Sequence, residues 1–368
     1  MTTRAMAATQ TSYIHLRLGF IYALLAAMMM LASTTPVGAV AVGVMGSEGM
    51  VVNGVATGKV TKRVIKPSGS SGSSAQGTVT PVQPSSPSND QYAAIPVSPI
   101  APNSPYLLQQ FAVFDATEFR GKPDTRGLGF KVVKSVYEWD IYQYDRSMLI
   151  PKTGIVAAAR AAKGTGAFRM STGQADLYML DVERIPVADI DERTKTTNLD
   201  NLRSSYWLFK RHVGDGRPVG YYAFTPHQRP YAAVSGASSP SFRTWQSDTD
   251  GMAMLTRQLD VLMPSAYTHS PDTNFWVRGA EAQVAEARRV RPDAKVYLVL
   301  MPVYFDLSPA GGTELPPAFW RLQLETAKRI ADGTIIWMVN HQADWNPNAR
   351  WWQTTLQFMR DHGLSPGA

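Results

Sequence analysis

Cysteine is absent from this chain of 368 residues. Its absence excludes disulfide bonds, thiolate metal sites and cysteine nucleophiles. The six histidines have no paired spacing such as His-Glu-x-x-His, so the sequence predicts no metal site. No Gly-x-Ser-x-Gly elbow is present, which removes the local signature of the serine hydrolases. A domain of roughly 260 residues buries a large core without cross-links, so the lack of cysteine does not oppose export.

Excess charge of one sign is also scarce over most of the chain, although the formal net charge is +7. The chain has 36 Lys and Arg and 29 Asp and Glu. Residues 1–105 contain six of the basic and two of the acidic residues, so residues 106–368 contain 30 basic and 27 acidic residues. No basic stripe interleaved with aromatic residues occurs, so no nucleic-acid partner is expected. The small positive excess permits a polyanionic substrate without indicating one.

The first 41 residues have the order of segments that is typical of a signal peptide. Residues 1–17 contain two arginines and no acidic residue, and residues 18–32 form an apolar run of 15. Ala39-Val40-Ala41 then supplies a small-x-small cleavage site. We therefore expect export, to the cell envelope or the medium. A membrane contact is expected only through this segment, if it stays uncleaved.

Residues 42–105 are rich in Gly, Ser and Pro and predict a disordered linker. From residue 106 to 368, apolar runs alternate with helical patterns, which favours one domain with a covered parallel sheet. The predicted strands are 111–119, 130–139, 176–183, 218–224, 260–268, 295–305 and 333–340. The predicted helices are 151–163, 199–212, 251–258, 275–290, 316–331 and 349–362.

The fold class predicted from this alternation is α/β, a TIM-like (β/α) barrel with seven strands instead of the usual eight. An open, doubly wound sheet would normally carry a Gly-rich phosphate loop after its first strand. Phe114-Asp115-Ala116-Thr117-Glu118 stands in that place, so no nucleotide cofactor is expected.

Polar and aromatic side chains gather where the predicted strands end. Asp181 and Glu183 follow an apolar strand and lie two residues apart, so both point to the same face. Because a parallel barrel keeps its chemistry at the carboxyl ends of its strands, the two acids are candidates for catalysis. The other strand-end residues are Asp115, Glu118, Tyr221, Tyr222, Tyr267, Thr268, His269, Tyr304, Asp306, Trp337 and Asn340. Aromatic faces with acids and amides around them suit a carbohydrate ligand.

Five short motifs follow one another along residues 111–345. They are Asp181-Val182-Glu183, Gly220-Tyr221-Tyr222-Ala223-Phe224-Thr225-Pro226, Pro264-Ser265-Ala266-Tyr267, Tyr304-Phe305-Asp306 and Gly333-Thr334-Ile335-Ile336-Trp337. In order and spacing they resemble the hyaluronidase family of glycoside hydrolases. The resemblance implies a distorted barrel of seven strands, which agrees with the count of strands above.

The resemblance also implies roles for individual residues. Glu183 would be the general acid, and Asp181 would hold the substrate's N-acetyl group while its carbonyl oxygen attacks the anomeric carbon. Tyr267 would bind the same acetamido group and Trp337 would floor the sugar pocket. Further contacts with the polysaccharide are expected from Tyr222, Asp115, Glu118, Arg184, Tyr304, Asp306 and Asn340. No cofactor is implied.

The sequence departs from the family where Val182 replaces the Trp of the Asp-Trp-Glu motif and where the family's disulfide cysteines are missing. We therefore expect an N-acetylhexosamine-containing polysaccharide as substrate, without transferring the specificity for hyaluronan. Two alternatives stay open. A muramidase-like peptidoglycan hydrolase also has an Asp-x-Glu strand and an acidic first strand, and a non-catalytic barrel could bind glycan at the cell surface.

Overall fold

The computed structural model describes residue 93 and residues 95–142, 147–169, 171, 173–305, 308 and 310–366. The predicted signal peptide at 1–41, most of the predicted linker and Asp306 lie outside the described residues. Within the described part, no helix combines the length and apolar character that a membrane crossing requires.

Seven strands form one sheet in which every strand pairs in parallel with its neighbours. They are β1 (Ala112–Arg120), β2 (Lys131–Tyr137), β3 (Leu177–Asp181), β4 (Val219–Tyr221), β5 (Val261–Leu262), β6 (Lys295–Leu300) and β7 (Gly333–Asp344). Their order is β4-β3-β2-β1-β7-β6-β5, so the two ends of the sheet are β4 and β5. The predicted TIM-like barrel of seven strands is confirmed.

The barrel closes where β4 meets β5. Tyr222 and Met263 form an isolated parallel bridge, and the backbone N–H of Ala223 donates to the carbonyl of Met263 at 2.9 Å. Gly220 permits this approach, because a Cβ atom there would lie 2.7 Å from the carbonyl oxygen of Val261. The two end strands are short, so the barrel is nearly closed and distorted.

Helices cover the outside of the barrel. They are α1 (Glu138–Tyr142), α2 (Lys152–Ala162), α3 (Glu192–Val213), α4 (Pro230–Ala233), α5 (Pro240–Gly251), α6 (Ala253–Thr256), α7 (Thr273–Val290), α8 (Pro317–Ile330) and α9 (Arg350–Asp361), with a 3-10 turn at Arg126–Leu128. α3 begins seven residues before the predicted start, because Asp191 caps it by accepting the N–H of Thr194 at 3.0 Å. α4 and α5 were not predicted, since their apolar residues are few. The Ser239-Pro240 pair that caps α5 is the one local signal that could have marked its start.

The fifth strand is much shorter than predicted. Regular pairing ends at Leu262, and Pro264 has no N–H to donate to a neighbouring strand. The chain beyond it still follows β6, through isolated bridges of Ser265 with Val299 and of Thr268 with Tyr304. The aromatic motif around Tyr267 therefore lies on an extended segment that remains attached to the barrel.

Two apolar clusters divide the core according to the alternation of each strand. One fills the barrel with alternate strand residues, among them Phe114, Val133, Met179, Val299 and Ile335. The other lies between strands and helices and contains the intervening residues, such as Val113, Tyr178, Leu298 and Ile336. The alternate residues of a strand that point into the barrel are called its inward series, and those between them its outward series. The last members of each inward series, at the carboxyl end of the strand, are the side chains that reach the mouth of the barrel.

Candidate active site

Asp181 and Glu183 lie at the mouth of the barrel, at the end of β3. The inward series of this strand runs through Leu177 and Met179 to Asp181, while Val182 points outward and is buried in the outer cluster. The carboxyl of Asp181 is partly buried, and the side chain of Glu183 is exposed to solvent. Within the described residues, the Glu183 carboxyl has no ion pair or hydrogen bond, so it is open to a ligand.

The environment raises the pKa of both acids. For Asp181 the main cause is burial, followed by the negative charges of Glu183 and Glu138. For Glu183 the surrounding protein limits hydration of the carboxylate, and Glu138 adds repulsion. Although the side chain of Glu183 reaches solvent, it does so from within a concave mouth. Both acids therefore hold protons at a higher pH than free carboxyls do.

Arg184 does not neutralise Glu183. Its backbone N–H donates to Glu138 Oε1 at 2.5 Å, and its Nε donates to Glu138 Oε2 at 3.1 Å. The guanidinium also lies over the ring of Tyr142, with 3.7 Å between its central carbon and the ring centroid. The charge of Arg184 is therefore paired with Glu138. The predicted contact of Arg184 with substrate stays a prediction.

Three aromatic side chains form the floor beside the acids. Tyr267 and Trp337 stack with ring centroids 5.7 Å apart and planes at 23°. Tyr222 lies next to Tyr267, with centroids 5.8 Å apart, and its hydroxyl donates to Ser265 Oγ at 3.1 Å. Burial, and less strongly the charges of Asp181 and Glu183, raise the pKa of both tyrosines. The acids therefore lie close enough to act electrostatically on this floor.

The aromatic surface extends beyond the predicted residues in both directions. On one side, the indole N–H of Trp337 donates to the hydroxyl of Tyr137 at 3.0 Å, and Tyr137 stacks on Trp139 at 4.5 Å. On the other side, Phe305 lies 5.7 Å from Tyr267 and 4.9 Å from the ring of His269. The mouth thus carries a band of rings, defined as Trp139, Tyr137, Trp337, Tyr267, Phe305 and His269.

Glu118 reaches the mouth from β1, where it ends the inward series of Phe114 and Ala116. It is buried, and its Oε2 lies 2.5 Å from Nε2 of His341 and 3.7 Å from Nη1 of Arg169. The same arginine donates to Asp140 at 2.6 Å and places its guanidinium 4.7 Å from the ring of Tyr137. Glu118 therefore belongs to a network of charges beside the aromatic band.

The structure does not bring Asp115 to this site. Asp115 lies on the outward face of β1, where its carboxylate accepts from Lys122 Nζ at 2.9 Å and Thr125 Oγ1 at 2.7 Å. Thr117 also donates to it, at 2.7 Å through its hydroxyl. This buried carboxylate holds the loop that follows β1, which is a structural role.

Two further candidates point away from the mouth. Tyr304 packs in the outer cluster, and its neighbour Phe305 takes the inward position. Asn340 is exposed on the outward series of β7, where its side chain accepts the N–H groups of Gln342 and Ala343 and so forms a turn. The proposed contact of Asp306 lies outside the described residues.

Residues that were not predicted complete the site: Glu138, Tyr137, Trp139, Asp140, Arg169, Phe305 and His341. The period-2 alternation would have separated Phe305 from Tyr304 and would have included Tyr137. No local signal marks Glu138, Asp140 or Arg169, because they reach the mouth from a helix start and a loop. In the described part of the chain, no group of three His, Asp or Glu is arranged to hold a metal ion.

This arrangement offers a proton from Glu183, a second carboxyl at Asp181 and a flat apolar surface for a sugar ring. Of the two acids, Glu183 is exposed to solvent and Asp181 is half-buried.

The sequence matches no protein-family model and no curated protein. Among solved structures, the chain is similar to bee venom hyaluronidase in a monoclinic crystal, at 16% identity and a TM-score of 0.43, over 69% of this chain and 97% of that one. It is also similar to bee venom hyaluronidase in complex with a hyaluronic acid tetramer, at 16% identity and a TM-score of 0.41, over 70% and 97% of the two chains.

Proposed function

We propose that this chain is a glycoside hydrolase that cleaves an N-acetylhexosamine-containing polysaccharide by substrate-assisted retaining catalysis. Glu183 is the general acid and Asp181 positions the substrate's acetamido group. Tyr267 and Trp337 form the surface on which the reacting sugar stacks. No cofactor or metal takes part in this scheme.

One observation carries the proposal. The Glu183 carboxyl is open to solvent and, in the described part of the chain, unpaired, and its pKa is raised by the surrounding protein and by Glu138. A general acid needs both properties, a proton that persists toward neutral pH and access to the leaving oxygen. Arg184, which would have quenched the acid, is held by Glu138 instead.

The chemistry would run in two steps. Glu183 gives its proton to the glycosidic oxygen while the acetamido carbonyl oxygen attacks the anomeric carbon, so the glycosidic bond breaks and a cyclic intermediate forms. A water molecule, deprotonated by Glu183, then opens this intermediate with overall retention. Asp181 acts as a carboxylate that accepts the N–H of the acetamido group and stabilises the positive charge that develops on its nitrogen.

The muramidase-like alternative relies on the acids of the first strand, and the placement of these acids weakens it. Asp115 lies on the outer face with Lys122, and Glu118 is bound by His341 and Arg169. A non-catalytic glycan-binding barrel agrees with the aromatic band but leaves the raised pKa values of the two acids without a role.

We also propose that residues 1–41 direct export and are removed. The amino terminus of the secreted or envelope-associated protein, determined by mass spectrometry, should begin at about residue 42. Recovery of the full-length chain from the membrane fraction would favour the uncleaved anchor instead.

The test is to incubate the protein with a panel of N-acetylated glycans, including peptidoglycan, and to measure hydrolysis as the release of reducing ends. Glu183→Gln should lower kcat by roughly 10²–10⁴-fold while binding persists, since only the proton is lost. Glu281→Gln serves as the control, because Glu281 pairs with Arg329 on the exposed outer helices. NMR of the first product should show the retained anomer.

A wild-type chain that binds the glycans but cleaves none of them would overturn the catalytic proposal and favour the non-catalytic barrel. Cleavage restricted to peptidoglycan would favour the muramidase-like alternative.

A further inference from the structure

The charges around the mouth of the barrel bear on which polysaccharide it accepts. The carboxylates there are Glu118, Glu138, Asp140, Asp181 and Glu183, and the guanidinium groups are Arg169 and Arg184. Because Glu183 holds the proton that it donates and the pKa of Asp181 is raised, the negative charge of the mouth comes mainly from Glu118, Glu138 and Asp140. These three acids face two arginines, although residues 106–368 as a whole carry a small positive excess. The mouth is an acidic region on a slightly basic domain.

Both arginines are already committed to acids. Arg169 donates to Asp140 through Nε at 3.1 Å and Nη2 at 2.6 Å, and its Nη1 lies 3.7 Å from Glu118. Arg184 is bound to Glu138 at 3.1 Å through Nε. Each guanidinium also has a face covered by an aromatic ring, that of Tyr137 or Tyr142. Neither is free to form the bidentate pair by which arginine binds a carboxylate of a ligand.

The histidines of the mouth do not restore a positive field. Burial lowers the pKa of His269 to about 4, so this ring is uncharged at neutral pH. His341 places its Nε2 2.5 Å from Glu118, so any charge that it carries is compensated at once.

The uncharged part of the mouth is well suited to sugars. Trp139, at 40% exposure, extends the aromatic band into solvent and stacks on Tyr137. On the opposite side, Tyr231 at 48% exposure lies 6.5 Å from His269 and 5.2 Å from Phe275. Rings of neutral sugars stack on such faces without any need for a charged partner.

We propose that the site takes a polymer of uncharged N-acetylated sugars in preference to one that alternates with uronic acids, and that Glu118, Glu138 and Asp140 determine this preference. The inference rests on the proposed function. A uronate carboxylate bound along the aromatic band would meet a net negative charge, since the acids outnumber the arginines that pair with them, and, in the described part of the mouth, no unpaired cation. The like charges slow its approach and weaken its binding.

The experiment compares oligosaccharides of equal length: N-acetylglucosamine hexamers for the neutral class, and hyaluronan and chondroitin hexamers for the anionic class. At low ionic strength, kcat/KM for the neutral hexamer should exceed that for either anionic hexamer by about tenfold or more. Added salt should raise the rate on the anionic hexamers, since it screens repulsion, and should leave the neutral one nearly unchanged. A preference for hyaluronan, or a rate on hyaluronan that falls with salt, would overturn the inference and leave the proposed function intact.

Asp140→Asn sharpens the test. It removes one charge and keeps an oxygen that accepts the N–H of Tyr137, a hydrogen bond of 2.9 Å in the wild type. The variant should narrow the gap between neutral and anionic hexamers, while Glu281→Gln, far from the mouth, should not. An unchanged gap in a folded Asp140→Asn protein would refute the role of this residue.

If none of the hexamers is cleaved, the proposed function fails and the binding preference is still measurable. Calorimetric titration of the Glu183→Gln protein should then give tighter binding of the neutral hexamer. Equal or tighter binding of the anionic hexamers would overturn the inference.

Discussion

The backbone N–H of Arg184 donates to Oε1 of Glu138 at 2.5 Å, and this bond joins the residue after the candidate acid to the first residue of α1. Because the Arg184 side chain binds the same carboxylate, Glu138 draws it away from Glu183. Glu138 also contributes to the raised pKa of both Asp181 and Glu183. One carboxylate thus orients the segment that carries the two acids and, after burial, adds to the raised pKa of both.

Replacement of Glu138 should move the pH profile of the reaction. In Glu138→Gln the repulsion disappears, so the pKa of Glu183 falls and the alkaline limb of kcat/KM shifts to lower pH. The amide keeps an oxygen for the N–H of Arg184 but loses the ion pair with its guanidinium. The released positive charge near Glu183 adds to the same shift of the alkaline limb, whereas the Glu281→Gln control should leave the profile in place. A profile that does not move would show that Glu138 has no electrostatic influence on the acid.

Asp181→Asn should abolish activity and stabilise the fold at neutral pH. The folded protein raises the pKa of Asp181 above its ordinary value of 3.8, so the folded state holds more protons than the unfolded chain between the two values. The free energy of unfolding therefore falls as pH rises through this window, and ionised Asp181 is destabilising above it.

The measurement is the difference in Tm between Asp181→Asn and wild type at acidic and neutral pH. By removing a charge that is unfavourable because of burial and of repulsion from Glu183 and Glu138, the variant should gain about 2–4 °C per kcal/mol at neutral pH, and little at pH values near or below the ordinary carboxyl pKa. A variant less stable than wild type at pH 7 would contradict the assignment of Asp181 as a strained, functional carboxyl.

The hydrogen bond from Trp337 to Tyr137 should make the effects of replacing these two residues on the free energy of unfolding non-additive. Tyr137→Phe removes the acceptor and should cost about 0.5–1.5 kcal/mol of stability, whereas Trp337→Phe also removes stacking area on Tyr267 and should raise KM. A double-mutant cycle of urea unfolding isolates the pair. Additive effects would mean that the two side chains act independently.

Truncation tests whether the residues before 106 contribute to the stability of the folded domain. Asp260 is buried and accepts the N–H of Ile100 at 2.6 Å, Lys210 Nζ at 2.5 Å and the N–H of Val219 at 3.0 Å. A chain that begins at residue 106 loses the first of these and should unfold about 1.5–3 kcal/mol more easily than one that begins at residue 93. Equal stability would place the boundary at the predicted position after residue 105.

The number and order of the strands were accessible from the sequence because burial on both faces leaves continuous apolar runs, as in residues 177–180. The boundaries were less accessible where one residue changes the pairing. Pro264 ends the regular part of β5, and Asp191 starts α3 a full two turns before the apolar pattern becomes visible. These are local interactions, and their effect depends on which neighbouring groups need a partner.

Some features of the candidate site likewise follow from the local sequence, and others require the tertiary structure. The spacing of Asp181 and Glu183 places both on one face, because the alternation of a strand is a local property of the backbone. Alternation also separates Glu118 from Asp115 and Phe305 from Tyr304, once the inward face of each strand is known. That knowledge comes from the closed barrel, in which the inward series of β1, β3 and β7 converge on one mouth.

Sequence patterns alone determined a seven-stranded α/β barrel with two carboxyls at the end of its third strand, because periodicity and burial act over a few residues. The tertiary structure decided that Glu138 holds Arg184, that Glu118 and Asp140 hold Arg169, and that Glu183 is left unpaired within the described residues. These partners are separated by 29 to 51 residues in the chain, and only the closure of the barrel brings them within reach of a hydrogen bond or an ion pair.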